Sequence, residues 1–277
     1  MRTARSWRPE AVADSNKETT LATSFDLHGK TALVTGASSG LGARFARLLA
    51  DNGAQVVLAS RRTERLKELR AEIEAGGGGA HVVPLDVTDN TVIEAAVAQA
   101  ETEAGPIDIL INNSGVSTTQ RLVDVTPQDF DFVFDTNTRG AFFVAQAVAR
   151  RMIARAKEEP QRRARIVNIA SMAGLRVLAQ IGVYCMSKAA VVQMTKAMAL
   201  EWGRYNINVN AICPGYIETE LNAHHWQTEA GQKLVSMLPR RRLGKPEDLD
   251  GTVLLLASDQ SDFINGAIIA ADDGFAL

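Results

Sequence analysis

The 277-residue chain is poor in the residues that staple small proteins or hold metals. Its two cysteines, Cys185 and Cys213, are too few for a disulfide framework, and a reducing cytoplasm fits that usage best. Four histidines, of which only His224 and His225 are adjacent, offer no metal-ligand spacing. A charge excess is lacking too: 30 Lys and Arg face 32 Asp and Glu, for a net charge of -2. That balance argues against nucleic acid or an anionic membrane as main partner, since both select a basic excess. No uncharged apolar run approaches the roughly 18 residues of a membrane helix. Aromatics are only 5%, so the core must rest on Ala, Val, Leu and Ile. What remains is 46% apolar and 22% charged, the composition of an ordinary globule with a substantial core. At about 150 residues per domain, the length admits one large domain or two small ones.

Residues 1–28 read differently from the rest. They are polar and irregular, with Arg2, Arg5 and Arg8 ahead of Pro9. Glu10, Asp14 and Glu18 come next, which an organelle-targeting peptide would avoid, and no apolar secretory core is present. This stretch is expected to be a disordered extension, with the folded domain spanning 29–277.

Beyond Gly29, short β-branched runs occur at Thr31–Thr35, Gln55–Ala59, His81–Leu85, Ile107–Ile111, Arg165–Ala170, Asn208–Cys213 and Ala267–Ala270. Most are almost continuously apolar, as strands buried on both faces must be. Between them lie stretches of helical periodicity, such as Gly42–Asn52, Thr63–Ala75, Asp89–Ala104 and Val183–Trp202. Such alternation predicts βαβ units and an α/β fold, a mostly parallel seven-stranded sheet with helices on both faces. No linker interrupts the series, so it is one domain. Gly76–Gly79 comes after a helix and precedes a strand, and reads as a flexible turn rather than a phosphate cradle.

The first strand runs into Gly36-Ala37-Ser38-Ser39-Gly40-Leu41-Gly42 and then a helix. Glycines there let the backbone approach a pyrophosphate, and the helix start offers free N–H groups to an anion. The spacing is G-x3-G-x-G, not the commoner G-x-G-x-x-G. At the end of the second strand stands Ser60-Arg61-Arg62, with no carboxylate to accept a ribose 2'-hydroxyl. A hydroxyl and two guanidiniums suit a 2'-phosphate instead, unless both arginines merely form a solvated helix entrance near Glu64. Tyr184 and Lys188, four residues apart, share one helix face. A cation beside a phenol is expected to lower its pKa from about 10, making it a usable acid or base. Alone, Y-x3-K is a common accident. Upstream, however, Ser171 emerges from the C-terminal edge of a buried strand, and Asn112-Asn113-Ser114-Gly115 holds the equivalent place after the fourth. That edge is where open α/β sheets bind ligands.

Taken together, these motifs resemble the short-chain dehydrogenase/reductase family in its single-domain branch, over essentially Leu27 to Leu277. The resemblance implies a Rossmann-type doubly wound fold and NADP(H) as preferred cofactor, with NAD(H) as the alternative. It assigns Gly36, Ser38, Ser39, Gly40 and Leu41 to the pyrophosphate, and Ser60, Arg61 and Arg62 to the 2'-phosphate. Asp86 and Val87 would flank adenine, with Asn113 and Gly115 beside the adenosine half. Pro214, Gly215, Ile217 and Thr219 would bind the nicotinamide carboxamide. Asn137, Ser171, Tyr184 and Lys188 match the catalytic residues. Tyr184 would be the proton donor, Ser171 the partner of the substrate oxygen, Lys188 the group that tunes Tyr184 and holds the nicotinamide ribose, and Asn137 the link from Lys188 to solvent through water. Two departures stand out: Ser114 replaces the usual alanine, and Asp272-Asp273-Gly274 replaces Asp-Gly-Gly. If that second position needs a positive φ, aspartate is tolerable but less comfortable than glycine.

Substrate contacts are expected from Ser171, Met172, Val177, Leu178, Ile181, Tyr184 and Tyr216, with Leu221 and His224 to Trp226 nearby. They are mostly apolar, which favours a hydrophobic ketone, best a 3-oxoacyl thioester, over a free sugar. The alternatives are an NAD-dependent alcohol or steroid dehydrogenase and, from another class, a non-catalytic nucleotide-binding regulator. Arg240-Arg241-Arg242 reads as a solvated face rather than a phosphopantetheine site, and Cys185 as a packing residue. The helix Thr138–Ala156 and the helix after Tyr184 carry more apolar surface than one sheet face should bury. The family pairs these helices across a two-fold axis and makes a second contact through the last strand, here Ala267–Ala270. That implies a homotetramer, or a dimer if connecting segments cover one stripe.

Overall fold

The computed structural model describes residues 25–220 and 222–277. Seven strands form one sheet: β1 (Thr31–Thr35), β2 (Gln55–Ser60), β3 (Gly79–Pro84), β4 (Ile107–Asn112), β5 (Ala164–Ile169), β6 (Ile207–Pro214) and β7 (Ile268–Ala271). Their order is β3-β2-β1-β4-β5-β6-β7, and every pairing is parallel. The order reverses between β1 and β4, so the turns leaving these two strands diverge and open a crevice at the C-terminal edge.

Helices cover both faces because each carries one apolar stripe. On one face, α1 (Gly40–Asp51), α2 (Thr63–Ala75) and α9 (Asp250–Ala257) contribute Phe45, Leu49, Leu66, Ile73 and Val253 to a core with Val34, Val56 and Ile111. On the other, α3 (Asn90–Ala104), α5 (Ala141–Ala156) and α6 (Gly182–Trp202) bury Ile93, Val97, Val144, Val148 and Met198 against Leu33, Val57 and Leu110. Small residues and β-branched chains fill this space, as the scarcity of aromatics requires. The short α4 (Pro127–Phe134) precedes α5, while α7 (Ala223–Trp226) and α8 (Glu229–Met237) form an excursion after β6.

The lower edge of the sheet is closed by charge. Asp108, 1% exposed in β4, accepts the Thr31 N–H (3.1 Å) and two Arg162 donors (2.7 and 3.0 Å). The upper edge stays open.

β1 and α2 match the sequence expectation, and the ends of the other strands differ from it by at most two residues. The helix expected from Thr138 begins at Ala141, because Asp135–Gly140 adopts a π-helical turn that joins α4 to α5. Leu27, 1% exposed, belongs to the core and Phe25 packs against it, so the packed chain reaches into the segment assigned to the extension. The rest of that expectation concerns residues 1–24, outside the described residues. Among the described residues no helix is long and apolar enough to cross a membrane.

Candidate active site

The β1–α1 turn is built by close approach. Gly36 has φ +66°, and a Cβ there would stand 2.9 Å from the Asn113 amide nitrogen. A Cβ on Gly42 would strike the Gly36 carbonyl oxygen, so the start of α1 lies directly against the turn. Thr35 Oγ1 accepts the N–H groups of Asn113 (2.9 Å) and Ser114 (3.1 Å), and Asn113 Nδ2 donates to Thr35 O (3.0 Å). The two turns at the crevice are thereby locked together. No acidic residue occupies the first turn of α1, which leaves its N-terminal N–H groups and dipole for an anion.

The two arginines expected at a 2'-phosphate divide their work. Arg62 donates to Ser38 Oγ (3.0 Å) and Ser39 Oγ (2.6 Å), and its own N–H reaches Ser60 Oγ (3.2 Å). It therefore braces the glycine turn. Arg61 keeps its fork 63% exposed, with Asp86 Oδ2 3.8 Å away. Asp86 in turn holds Thr88 through both backbone (3.0 Å) and hydroxyl (2.8 Å).

Ser171 succeeds β5 in extended backbone, where its Oγ accepts the Ala173 N–H (3.1 Å), and it lines the same crevice as Tyr184. Tyr184 stands in the first turn of α6 and Lys188 one turn later. The Lys188 ammonium is 5.8 Å from the tyrosine ring centroid and donates to Ile169 O (2.8 Å). Burial pushes Lys188 down from 10.5 to about 8. Burial likewise pushes Tyr184 above its ordinary value, against the downward pull of the Ser171 hydrogen bond. The expected lowering of Tyr184 by its lysine is not seen: Lys188 is not among the groups that shift it, and desolvation of the phenolate is the largest effect. Asn137, 1% exposed on the π-helical turn, clamps Val116 by accepting its N–H and donating to its O, both at 2.8 Å.

Beyond β6, Gly215 N–H bonds Ala271 O (3.0 Å) and directs the chain across the cleft. Asn222 organises the segment from Ile217 to Trp226: it accepts from Thr219 N (2.8 Å) and Trp226 Nε1 (3.0 Å) and donates to Ile217 O (2.8 Å). Tyr216 packs edge-on to Trp226 and Phe275, with ring centroids 5.6 and 5.4 Å away. Asp273 does adopt positive φ, +59°, and accepts from Arg240 Nε (3.0 Å), while Asp272 caps Gly274 and Ala276. Arg242 pairs with Asp248 (2.8 Å), so two of the three consecutive arginines are neutralised by neighbours.

One open cleft of about 780 Å³ gathers almost every expected residue, from Gly36 to Thr219. Asn137 stands behind it. Val177 is a correction: at 84% exposed it lies outside the cleft, because the segment from Leu175 turns outward after Ser171. Leu221 falls outside the described residues. Thr35, Asn222 and Ser187 were missed; asking what pairs with the buried N–H groups of Asn113, Thr219 and Asn137 would have found them.

A family model described as "Enoyl-(Acyl carrier protein) reductase" matches residues 36–276. Gluconate 5-dehydrogenase of Gluconobacter oxydans (strain 621H) is 39% identical over 254 residues, 91% of this chain and 97% of that protein. A solved short-chain type dehydrogenase/reductase from Mycobacterium marinum superposes with TM-score 0.84 at 39% identity, covering 91% and 97% of the two chains. The gluconate 5-dehydrogenase from Burkholderia cenocepacia J2315, solved with NADP and tartrate, superposes with TM-score 0.85 at 36% identity over 91% and 96%.

Proposed function

Since the chain belongs to the short-chain dehydrogenase/reductase family, and so is an oxidoreductase acting on carbonyl or alcohol groups, we propose that it is an NADP(H)-dependent reductase of hydrophobic ketones. The observation that carries this reading is the convergence of Ser171, Tyr184 and Lys188 on one cleft, beside Met172, Leu178 and Ile181.

The cleft fits a phosphorylated dinucleotide. Gly36 and Gly40 would admit its pyrophosphate at the start of α1, and the exposed Arg61 fork would take a 2'-phosphate. NADP in a related structure supports the same choice. When bound, the nicotinamide supplies or accepts the hydride. The protein's own groups handle the proton. Tyr184 donates its hydroxyl proton to the substrate oxygen, and the Ser171 hydroxyl bonds that oxygen as charge develops. Lys188, with a pKa of about 8, holds or releases a proton near working pH. Asn137 would connect it to solvent.

The substrate reading rests on one wall of the cleft. Met172, Leu178, Ile181 and the Tyr216 ring line it, and Asn222 beside them already has three hydrogen-bond partners. A polyol would bury hydroxyls against this apolar stretch, and unmatched hydroxyls are costly to bury. A 3-oxoacyl thioester fits the wall better. The 39% identical gluconate 5-dehydrogenase favours a second reading, a sugar acid. The two stripes on α5 and α6 support self-association to a tetramer.

The test is a panel of ketones with NADPH and NADH, read by nicotinamide absorbance. A 3-oxoacyl thioester mimic should exceed 5-ketogluconate in kcat/KM by about ten-fold or more, the discrimination of a hydrophobic pocket. Tyr184→Phe should bind NADPH normally and lose about 10²- to 10⁴-fold in turnover. Preference for the sugar acid would overturn the substrate reading, and Tyr184→Phe within a few-fold of the parent would overturn the mechanism.

A further inference from the structure

Ser187 lies between Tyr184 and Lys188 in the chain but does not line the cleft, and it has no solvent exposure. Its hydroxyl does two jobs at once. Oγ donates to Tyr184 O (2.8 Å), one turn back on α6, and accepts from Asn137 Nδ2 (2.9 Å). Asn137 spends its remaining capacity on the Val116 backbone, one bond in each direction. The result is a continuous chain of hydrogen bonds from the loop after β4, through the π-helical turn, to the backbone of the catalytic tyrosine. Thr138 adds a second tie by donating to Ser187 O (3.3 Å).

These demands dictate the residue type. The site needs a donor and an acceptor on one small side chain. Alanine supplies neither, and threonine would add a methyl group to a site with no solvent exposure. Without the serine, a buried Asn137 N–H loses its partner, and the amide must turn away from Val116 to find another. The element it sits on is free to respond, since a π-helical turn holds an extra residue that the helix can absorb elsewhere. Proximity gives this movement consequences: a Cβ on Gly115 would lie 3.3 Å from Lys188 Nζ and 3.5 Å from Asn137 Oδ1, so lysine and asparagine flank the same glycine.

We propose that Ser187 is a positioning residue for proton transfer, acting through Asn137 and the Tyr184 backbone to hold the π-helical turn in register with the catalytic tyrosine and lysine. The proposal rests on the proton-handling roles given above to Tyr184, Lys188 and Asn137.

The experiment compares Ser187→Ala in the parent and in an Asn137→Ala background, using whichever ketone of the panel the parent turns over. In the parent, kcat should fall roughly ten-fold while KM for ketone and NADPH stays within about two-fold, the pattern of a group that acts on the chemical step. The pH profile of kcat should move by about half a unit or more. In the Asn137→Ala background the same change should cost less than about two-fold, because coupled groups are not additive. A second readout needs no turnover: in cofactor-free protein, the phenol titration that Tyr184→Phe removes from the ultraviolet difference spectrum should shift in Ser187→Ala. Ser187→Cys, with a weak donor and acceptor, should fall between the two, and it carries the same readouts if the alanine variant fails to fold. A merely structural serine would lower the melting temperature and leave both titrations in place. Unmoved titrations, or an undiminished loss in the Asn137→Ala background, overturn the proposal. If the parent reduces no ketone, the functional reading fails, while the phenol titration still decides the role of Ser187.

Discussion

Lys188 is the residue at which folding and chemistry conflict most directly. It is 4% exposed, with one carbonyl partner, Ile169 O, and burial lowers its pKa from 10.5 to about 8. A lysine whose folded value lies below its unfolded one is opposed in its charged form, so the penalty is complete below pH 8. Stability therefore rises as pH climbs from about 8 to 10.5 and levels off beyond. Lys188→Met should remove the penalty. At pH 7 it is expected to raise the unfolding free energy by as much as ~3 kcal/mol, from a shift of about 2.5 units at ~1.4 kcal/mol each, less the lost carbonyl bond. The gain should vanish near pH 10.5, and activity should be lost at every pH. Urea unfolding at the two pH values checks this, and an equal effect at both would refute it. Ser171, Tyr184 and Lys188 were legible as neighbours because strand edge and helix spacing bring them to one cleft, while the roles proposed for them come from the family resemblance. Their electrostatics were not. A four-residue spacing says that Tyr184 and Lys188 share a face, but nothing about how far each is desolvated, and desolvation is the largest effect on both. Ser187 and Thr35 were illegible for another reason: they hold backbone and amide groups of residues far away in sequence, and serine and threonine are common everywhere.

Two strand-to-helix elements, β1–α1 and β2–α2, meet at the cofactor end, and their contact predicts different consequences for neighbouring arginines. Arg61 is exposed and free of the turn, so Arg61→Ala should weaken NADPH by about 1.5–3 kcal/mol, the range for a charged hydrogen bond, and spare NADH. Arg62 braces Ser38 and Ser39, which belong to the pyrophosphate turn common to both cofactors. Arg62→Ala should therefore weaken NADPH and NADH alike, by roughly 1 kcal/mol for the lost brace. Fluorescence titration with each cofactor separates the cases. Loss of NADPH alone in Arg62→Ala would return both arginines to the 2'-phosphate. The sequence placed both at one site because dipeptide position does not reveal which way a long side chain turns. Elements themselves were read well where their signals were local: β-branched runs for the strands, and Thr63 and Gly76 at the ends of α2. The π-helical turn at Asp135–Gly140 was invisible, since one extra residue barely disturbs the apolar period. Leu27 was hidden by its polar neighbours, although a single buried leucine is enough to dock the chain before β1.

At the scale of the whole molecule, the apolar stripes that first suggested assembly are only partly used within the chain. Val144, Ala145, Val148, Ala149 and Met152 of α5, and Val191, Val192 and Met198 of α6, are buried in one copy. The rest of the same two stripes stays at the surface. Phe142, Ile153, Met194, Ala197 and Trp202 floor a groove of about 680 Å³ between α5 and α6, and Leu200 beside it is 86% exposed. The rim carries both signs, with Asp135 and Glu201 against Arg139 and Arg150, so a second copy of the same face meets no single-sign repulsion. Such a self-complementary face suits a two-fold contact. The sheet offers a second: among the described residues β7 pairs only with β6 and its outer edge is open, and open edges invite another strand. Two independent two-fold contacts close into a tetramer. Light scattering at micromolar concentration should therefore report about four times the 29.8 kDa chain mass. Ala197→Arg places a long charged chain in the groove and should halve that mass while leaving the β7 contact intact. A monomeric parent would mean that neither face is an interface, and a variant still tetrameric would mean that the groove is not one of the two.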